Sequence, residues 1–426
     1  MVNLFQRKNE FKTWGIRIAW IASLLLSISC REEHLQTVFL KNPLNMVRNH
    51  ELVILDGSRI FPETEEKYGA FLSVKENGRE VPYQKLLHNR IGILVNFKPY
   101  EQKVLTIRFL RNKRQEFNQR AHGEISVRNA AVFKNGRWRG GFFENVMHFS
   151  VGKNHFIHDD LIRYEGPGLE SDKIAYRIYL DKRNAIDVFG KKTTKMILPF
   201  IGHDTSTTYH KMNWWGMDIL KVGKTFGAGS FVLYRPASAD KNEATYLLRP
   251  DTVDSMVCNV LEDGPLRAVV EIIYKGWKTG NGSAVTVRAR HFICAGSYLL
   301  RHEISVEHGR NVGIAFGIMQ PQTCTSKRYN DDGYWQNVTI PSLAADSLNI
   351  FLYVKGNVAN GITKVINGNR IIFCNPNANK VTFWSGALWQ KNFPDESFAA
   401  VCVRFARNQL QRFRYPIQIK YSKDAP

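Results

Sequence analysis

The chain has 426 residues, enough for two domains or one large all-β domain. Hydrophobic residues make up 44% and charged residues 23%, which excludes a mainly disordered chain. Lys and Arg total 59 against 38 Asp and Glu, a net charge of +21, and aromatic residues reach 12%. These values fit a protein that meets an anionic polymer, either a nucleic acid or an acidic polysaccharide.

The N-terminus predicts export. Residues 1–17 carry four basic side chains, and the apolar run from Ile18 to Ile28 is too short to span a bilayer. A small residue and Cys30 follow, an order typical of bacterial lipoprotein signals, although a secretory signal or an uncleaved anchor is the alternative. We expect a signal peptide at 1–29, lipidation of Cys30, and an outer-membrane lipoprotein on the periplasmic or cell-surface face. Export argues against a nucleic-acid partner.

Short apolar runs separated by turn residues fill the rest of the chain and predict an all-β fold. The first five runs suggest a small β-sandwich over residues 30–115, followed by a basic linker. Residues 120–426 continue in strands without βαβ alternation, which indicates one large antiparallel β-sandwich. We count the segment Phe398–Ala406 (FAAVCVRFA) among its strands.

A first polar segment lies between Tyr164 and Lys192. In its centre, Ile174, Tyr176, Ile178 and Leu180 alternate with charged and hydroxyl side chains, so one strand face is predicted to be apolar and buried. The other face would carry Arg177, Tyr179, Asp181 and Arg183, and the Gly-Pro-Gly turn before it could bring Glu165 and Glu170 to the same end. Cross-strand ion pairs on a solvated face are the structural alternative.

A second segment, from Thr208 to Gly229, combines aromatic and titratable residues within a glycine-punctuated loop: Tyr209, His210, Trp214, Trp215, Asp218 and Lys221. Trp rings stack on sugar rings, and His, Asp and Lys supply hydrogen bonds and proton transfer. A buried Trp pair is the alternative. A third segment, His155–Asp160, has donors for a metal, but its spacing matches no standard site, so we predict a solvated loop and no metal.

The strings EGPGLESDKIAYRIYLDKRNAIDVFGKK and YHKMNWWGMDILKVGKTFGAGS resemble a family of secreted Bacteroidetes proteins catalogued as a domain of unknown function and commonly encoded in polysaccharide-utilisation loci. The resemblance implies a galactose-mutarotase-like supersandwich behind a small β-domain. One branch of the family is associated with ulvan breakdown, as an oligosaccharide dehydratase that forms a 4,5-unsaturated uronate. Leu169 departs from the Trp or Ala expected in the family motif.

The residues of the two segments suit such an elimination, which needs a base for the C5 proton and cations for the carboxylate. We predict His210 as base or acid, with Tyr209, Tyr179 or His302 as its partner. The predicted cations are Arg177, Arg183 and Lys221, the predicted orienting carboxylates are Asp181, Asp218, Glu165 and Glu170, and the predicted sugar platforms are Trp214 and Trp215. No cofactor is expected. A glycoside hydrolase, using carboxylate pairs such as Glu170 with Asp172 or Asp181 with Asp218, and a non-catalytic glycan-binding lipoprotein remain alternatives.

Overall fold

The computed structural model of the chain describes residues 35–60, 71–110, 116–156, 158–203, 208–235, 246–279, 283–307, 312–330, 333–356, 359–375 and 378–422. The predicted signal peptide and Cys30 lie outside these residues. In this part of the chain, no helix is long and apolar enough to cross a membrane.

Residues 35–110 form a small β-domain of two sheets. Its elements are β1 (Leu35–Lys41), β2 (Arg48–Asp56), the short helix α1 (Gly57–Ile60), β3 (Phe71–Glu76), β4 (Arg79–Glu80), β5 (Tyr83–Leu86), β6 (Arg90–Phe97) and β7 (Gln102–Leu110). One sheet contains β1–β7–β3–β4 and the other β2–β6–β5. Alternate apolar residues, among them Val38, Leu55, Val74, Ile93 and Ile107, face a shared core.

From residue 121 the chain forms a second, larger set of strands. The strands are β8 (Ala121–Glu124), β9 (Ser126–Asn129), β10 (Val132–Lys134), β11 (Arg137–Arg139), β12 (Phe142–Asn145), β13 (His148–Gly152), β14 (Gly168–Ser171), β15 (Ile174–Ile178), β16 (Ile186–Lys191), β17 (Gly216–Asp218), β18 (Ser230–Arg235), β19 (Tyr246–Leu248), β20 (Ser255–Glu262), β21 (Arg267–Lys278), β22 (Ala284–Cys294), β23 (Leu299–Glu307), β24 (Gly313–Met319), β25 (Thr325–Asn330), β26 (Gly333–Pro341), β27 (Ser347–Lys355), β28 (Ala359–Ile366), β29 (Asn369–Cys374) and β30 (Lys380–Trp389).

These strands build a two-layer antiparallel sandwich. One layer is a nine-stranded sheet in the order β13–β20–β21–β22–β23–β30–β27–β26–β25. The other consists of two five-stranded sheets, β17–β16–β15–β14–β8 and β19–β18–β24–β29–β28. The layers share one core, to which Tyr176 and Val188, Phe231, and Val287 and Ile304 contribute from the three sheets. The predicted all-β class and the large sandwich behind a small β-domain are confirmed.

The segment predicted as a strand at Phe398–Ala406 is instead part of a helix, α2, that spans Phe398–Arg414. Its buried residues Phe398, Val401, Cys402, Ala406 and Leu410 follow the helical period and cover the outer face of the nine-stranded sheet. The strand prediction was wrong because the run FAAVCVRFA is apolar at strand and helix spacing alike, and the period emerges only over the whole segment.

The C-terminal strand β31 (Gln418–Tyr421) returns to the small domain. It pairs antiparallel with β1, with Val38 opposite Tyr421, and the Tyr421 side chain enters the small core. The predicted large domain at 120–426 therefore ends too late, since its last strand completes the N-terminal sheet. Both ends of the described chain thus meet in one sheet.

Candidate active site

A cavity of about 270 Å³ lies beside the β17–β16–β15–β14–β8 sheet. Its lining is rich in titratable groups, with four histidines, two tyrosines and three carboxylates. The lining residues are Arg128, Arg137, Phe143, His155, His158, Asp159, Asp160, Ile162, Tyr164, Glu165, Gly202, His203, Thr208, Tyr209 and His210. Such a concave, polar pocket is the strongest candidate for chemistry in the described part of the chain.

His210 is the predicted base, and the structure places it in this cavity. Its Nδ1 lies 3.2 Å from Oδ2 of Asp218, and its side chain is 56% exposed while that of Asp218 is 2% exposed. The Asp218 backbone N–H donates to the Tyr209 carbonyl at 2.8 Å, which ties the loop to β17. A carboxylate on one ring nitrogen fixes the orientation of the imidazole and turns Nε2 away, as expected of a proton-transfer group.

The loop that carries His210 is anchored by a close backbone approach. Gly216 has φ +134°, and a Cβ at this position would lie 1.7 Å from the Gly190 carbonyl oxygen on β16. Glycine is therefore required where the chain enters β17. Just before it, Trp215 is buried against Phe189, with ring centroids 6.1 Å apart.

Arg177 was predicted to bind substrate, but it is 4% exposed and fully committed to protein partners. Its Nε and Nη2 donate to Oδ2 of Asp187 at 3.0 and 2.6 Å, and Nη2 also reaches Asp218 at 3.3 Å. Its Nη1 donates to the Tyr209 hydroxyl at 3.1 Å. Burial raises the pKa of Asp187 to about 6, against the opposing effect of Arg177. Arg177 is thus a positioning residue that holds both Tyr209 and the partner of His210.

Tyr179, Asp181 and Arg183 were predicted at the site, but they stand behind the cavity and do not line it. Tyr179 is buried and donates to Asp187 at 3.0 Å, which leaves its hydroxyl unavailable for the predicted role as partner of His210. Arg183 forms a short pair with Asp181 at 2.6 Å and contacts Glu165 at 3.2 Å. Glu165, the partner of Arg183, does line the cavity, where it also pairs with His158.

Glu170 is a structural residue and not the predicted substrate ligand. Its carboxylate is fully buried and pairs with the fully buried ammonium of Lys191 at 2.9 Å. It also accepts the backbone N–H groups of Ile197 and Leu198 at 2.8 and 2.9 Å. Burial lowers the pKa of Lys191, against the effect of Glu170. The hydrolase pair of Glu170 with Asp172 is therefore excluded from the cavity.

The two tryptophans, Trp214 and Trp215, lie in different environments, one exposed and one buried. Trp215 is 3% exposed and belongs to the core, so its predicted role as a sugar platform was wrong. Trp214 is 55% exposed and lies against exposed Phe200, with ring centroids 6.2 Å apart. The predicted cation Lys221 is exposed but does not line the cavity, and His302 lies in the sandwich core.

Several cavity residues were missed or misjudged in the sequence. The segment His155–Asp160, expected to be a solvated loop, contributes His155, His158 and both aspartates to the lining. Burial lowers the pKa of His155. No cluster of three or more His, Cys, Asp or Glu side chains suited to a metal occurs among the described residues. In the sequence, the only indication that the segment His155–Asp160 belongs to a site is its two adjacent aspartates and two histidines.

A buried polar network supports one wall of the cavity. Glu124 pairs with Arg163 and accepts the Tyr164 hydroxyl, and it lies 3.0 Å from Nε2 of His122. Burial opposes the charge on His122, but hydrogen bonds to Asp263 and Glu124 outweigh it and raise its pKa to about 10. Burial likewise opposes the charge on Glu124, but the bond from His122 and the charge of Arg163 lower its pKa to about 2. The wall is therefore held by charged groups.

The fold and the site together define a class of protein. It is a two-layer antiparallel β-sandwich with a cavity lined by histidine, tyrosine and carboxylate side chains. The chain belongs to the family described as Domain of unknown function (DUF4861), whose profile matches residues 40–419. No curated protein matches the chain.

Solved structures resemble the chain at low sequence identity. An α-mannosidase from Enterococcus faecalis V583 aligns with 10% identity and a TM-score of 0.46, over 96% of this chain and 48% of that one. A protein in Glycosyl Hydrolase Family 38 from Enterococcus faecalis aligns with 9% identity and a TM-score of 0.47, over 93% and 48%. The chain spans about half the length of these two proteins.

Proposed function

We propose that the cavity is the active site of a carbohydrate lyase or dehydratase that acts on uronate-containing oligosaccharides. One observation carries the proposal: Tyr209 and His210 stand side by side, with ring centroids 4.4 Å apart, each held from behind by a buried polar group. Elimination requires this combination of one proton acceptor and one proton donor.

The two side chains suit opposite halves of the reaction. His210 Nε2 removes the C5 proton, and the electrons of that bond form the C4–C5 double bond as the C4–O bond breaks. The Tyr209 hydroxyl accepts a hydrogen bond from Arg177, so its own O–H is directed elsewhere and can protonate the departing oxygen. Burial raises the pKa of Tyr209, which keeps the phenol protonated at neutral pH. Arg177 would then stabilise the phenolate that remains.

The carboxylate of the substrate needs a cation that is accessible. Arg137 lines the cavity with its side chain 47% exposed, and its contact with Asp160 is long, at 3.5 Å. Arg128 is less available, since it donates to two backbone carbonyls and stacks on Phe143. We therefore assign carboxylate binding to Arg137, in place of Arg177 and Arg183.

Two aromatic pairs outside the cavity lining offer stacking surfaces for sugars. Trp214 lies with Phe200, and Phe133 lies with Trp138 at a centroid distance of 5.4 Å beside Arg137. Aromatic faces in solvent cost free energy unless a ligand covers them. They support an oligosaccharide that extends beyond the reacting unit.

The test uses purified protein and oligosaccharides from ulvan, pectin and glycosaminoglycans, with ultraviolet absorbance of the unsaturated uronate as the readout. His210→Ala should lower kcat by about 10²–10⁴-fold with little change in ligand Kd. His148→Ala is the matched control, because His148 is also exposed but lies outside the cavity. Tyr209→Phe should lower kcat while retaining the packing of its ring on Phe189.

Other results would assign another function. Release of reducing sugar without the chromophore would favour a glycoside hydrolase, for which Asp159, Asp160 and Glu165 are the carboxylates in the cavity. Ligand binding that is unaffected by His210→Ala, with no turnover of any substrate, would favour a glycan-binding protein. Both results would refute elimination.

We also propose that the chain is exported and anchored by a lipid on Cys30, so that it meets its glycan outside the cytoplasm. The proposal rests on the sequence pattern of residues 1–30. Full-length protein expressed in a bacterial host should incorporate labelled fatty acid and fractionate with membranes, and Cys30→Ser should do neither. Incorporation that survives Cys30→Ser would refute it.

A further inference from the structure

A second cavity, which we call the junction cavity, lies where the small domain, the nine-stranded sheet and α2 meet. Its volume is about 250 Å³, and it shares no lining residue with the candidate active site. Strand β2 contributes one wall, β22, β23 and β30 contribute the floor, and α2 contributes the opposite wall. The lining residues on which the argument depends are Glu51, Phe292, Arg301, Trp384, Arg412 and Phe413.

The junction cavity carries an excess of positive charge. Three arginines and one carboxylate line it, and one of these arginines, Arg267, is already paired with the buried Glu262 at 2.5 Å. The carboxylate of Glu51 already accepts hydrogen bonds from Nε and Nη2 of the buried Arg48 at 3.1 and 2.6 Å. Arg412 reaches Glu51 only at 3.5 Å, and its Nε is shielded from solvent without a partner in the described part of the chain. A desolvated cation that shares its counter-charge is costly, and a bound anion would offset that cost.

The pKa values of Arg412 and Arg301 are also affected by burial at the cavity. Burial lowers the pKa of Arg412, against the effect of Glu51 and with a further contribution from the charge of Arg48. Burial also lowers the pKa of Arg301, against the effect of Glu303. Arg301 contacts Glu303 at 2.9 Å, and its side chain remains 31% exposed. Arg412 thus faces the cavity with a shared counter-charge, and Arg301 faces it beside its contact with Glu303; guanidinium pairs well with carboxylate.

The same cavity has an aromatic wall. Trp384 and Phe413 lie with ring centroids 4.9 Å apart, and the Arg301 guanidinium lies 4.1 Å from the centroid of Phe292. Such rings favour the C–H face of a sugar over water. At ~30 Å³ for each water molecule, the volume corresponds to roughly eight waters, so a ligand of monosaccharide size is the appropriate scale.

We propose that the junction cavity binds a carboxylated sugar unit, held by Arg412 and Arg301 and stacked on the Trp384 wall. The site is separate from the proposed elimination site and does not depend on it. Because three structural units line it, an occupied cavity also braces the small domain against the sandwich.

The test is calorimetric titration of D-glucuronate into the full-length protein carrying Arg137→Gln, which removes the proposed carboxylate ligand of the other cavity. We expect binding with Kd of about 1 mM, and none with D-glucose. Arg412→Gln should weaken glucuronate binding at least tenfold, which corresponds to about 1.4 kcal/mol. Arg404→Gln is the matched control, since Arg404 lies on the same helix, exposed and paired with Glu396.

Arg301→Gln, in the floor of the cavity, provides a second variant should Arg412→Gln fail to fold, and it should weaken binding similarly. Three outcomes would overturn the proposal: no glucuronate binding, binding unchanged in the variants that fold, or inorganic phosphate binding as tightly as glucuronate. The last would mean that the sugar ring contributes nothing. Because the background lacks Arg137, none of these results depends on whether the proposed elimination occurs.

Discussion

The two glutamates that flank the glycine turn, Glu165 and Glu170, were both predicted to bind substrate, and the structure gives them opposite roles. We expect Glu170→Gln to destabilise the protein and Glu165→Gln to affect activity with little change in stability. Glu170 is fully buried, whereas the Glu165 side chain lines the cavity and is 16% exposed. The pair therefore offers a matched comparison in which only the surroundings differ.

The magnitude follows from the contacts. Glu170→Gln leaves the Lys191 ammonium buried without its counter-charge and turns an amide N–H₂ toward it or toward the N–H groups of Ile197 and Leu198. Breaking a buried ion pair in this way costs about 3–5 kcal/mol, a large part of a typical total stability of about 5–15 kcal/mol. Glu165→Gln should cost under about 1 kcal/mol, since its pair with Arg183 is partly solvated.

The stabilities of Glu170→Gln, Glu165→Gln and the wild type are compared from their urea denaturation midpoints, provided that the dependence of the unfolding free energy on urea is the same in all three. In Glu170→Gln, the pKa of Lys191 should fall further in the folded protein, because burial already lowers it and the opposing charge of Glu170 is gone. Because the unfolded state then binds more protons, stability should rise with pH by up to about 1.4 kcal/mol per unit. Adding Lys191→Met to Glu170→Gln should restore much of the lost stability. Wild-type stability in Glu170→Gln, with loss of turnover instead, would refute the structural role.

Three further predictions follow from the same contacts. Trp215→Ala should destabilise the fold by about 3–5 kcal/mol, whereas Trp214→Ala should leave the midpoint unchanged and weaken oligosaccharide binding in titration. His122, with a pKa of about 10 against 6.5 unfolded, should contribute stability that is complete below pH 6.5 and lost as the pH rises to 10, and His122→Gln should flatten that decline. His291 and His302 lie in the core 2.8 Å apart, and burial lowers the pKa of His291 to about 3 and that of His302 well below 6.5. Their contribution should be complete above pH 6.5 and lost as the pH falls, and a His291→Asn/His302→Gln variant should show a shallower acid slope in the denaturation midpoint.

The strands of the large sandwich could be predicted because their signal is local. Along β23, the buried residues Leu300, His302, Ile304 and Val306 alternate with exposed or partly exposed residues, so the sequence pattern itself indicates the core side. Pairing between distant segments has no such signal. Nothing local in Gln418–Tyr421 indicates that it joins β1, nearly 400 residues away in the chain, and so the domain boundary could not be placed.

The candidate site was predicted from composition, and several of its residues were misplaced for one reason. Strand parity correctly places Arg177 on the face opposite the sandwich core, but it does not reveal what covers that face. The loop around Trp215 covers it, with Tyr209 and Asp218, and converts a predicted ligand-binding row into a buried support. His210 escaped this error, since a residue in a loop with an exposed side chain has no second layer above it.

The charge of the chain also needs a different interpretation once the cavities are located. The net charge is +21, yet the candidate active site is lined by Arg128 and Arg137 against Asp159, Asp160 and Glu165. A run of carboxylated sugars would meet more acids than bases there, and like charges in an enclosed site repel. For the proposed uronate substrate, this lining suits one carboxylated unit on Arg137, with the remaining charges of the polymer outside the cavity. Under the proposed elimination, we therefore predict reaction at the terminal unit of a chain over reaction within it.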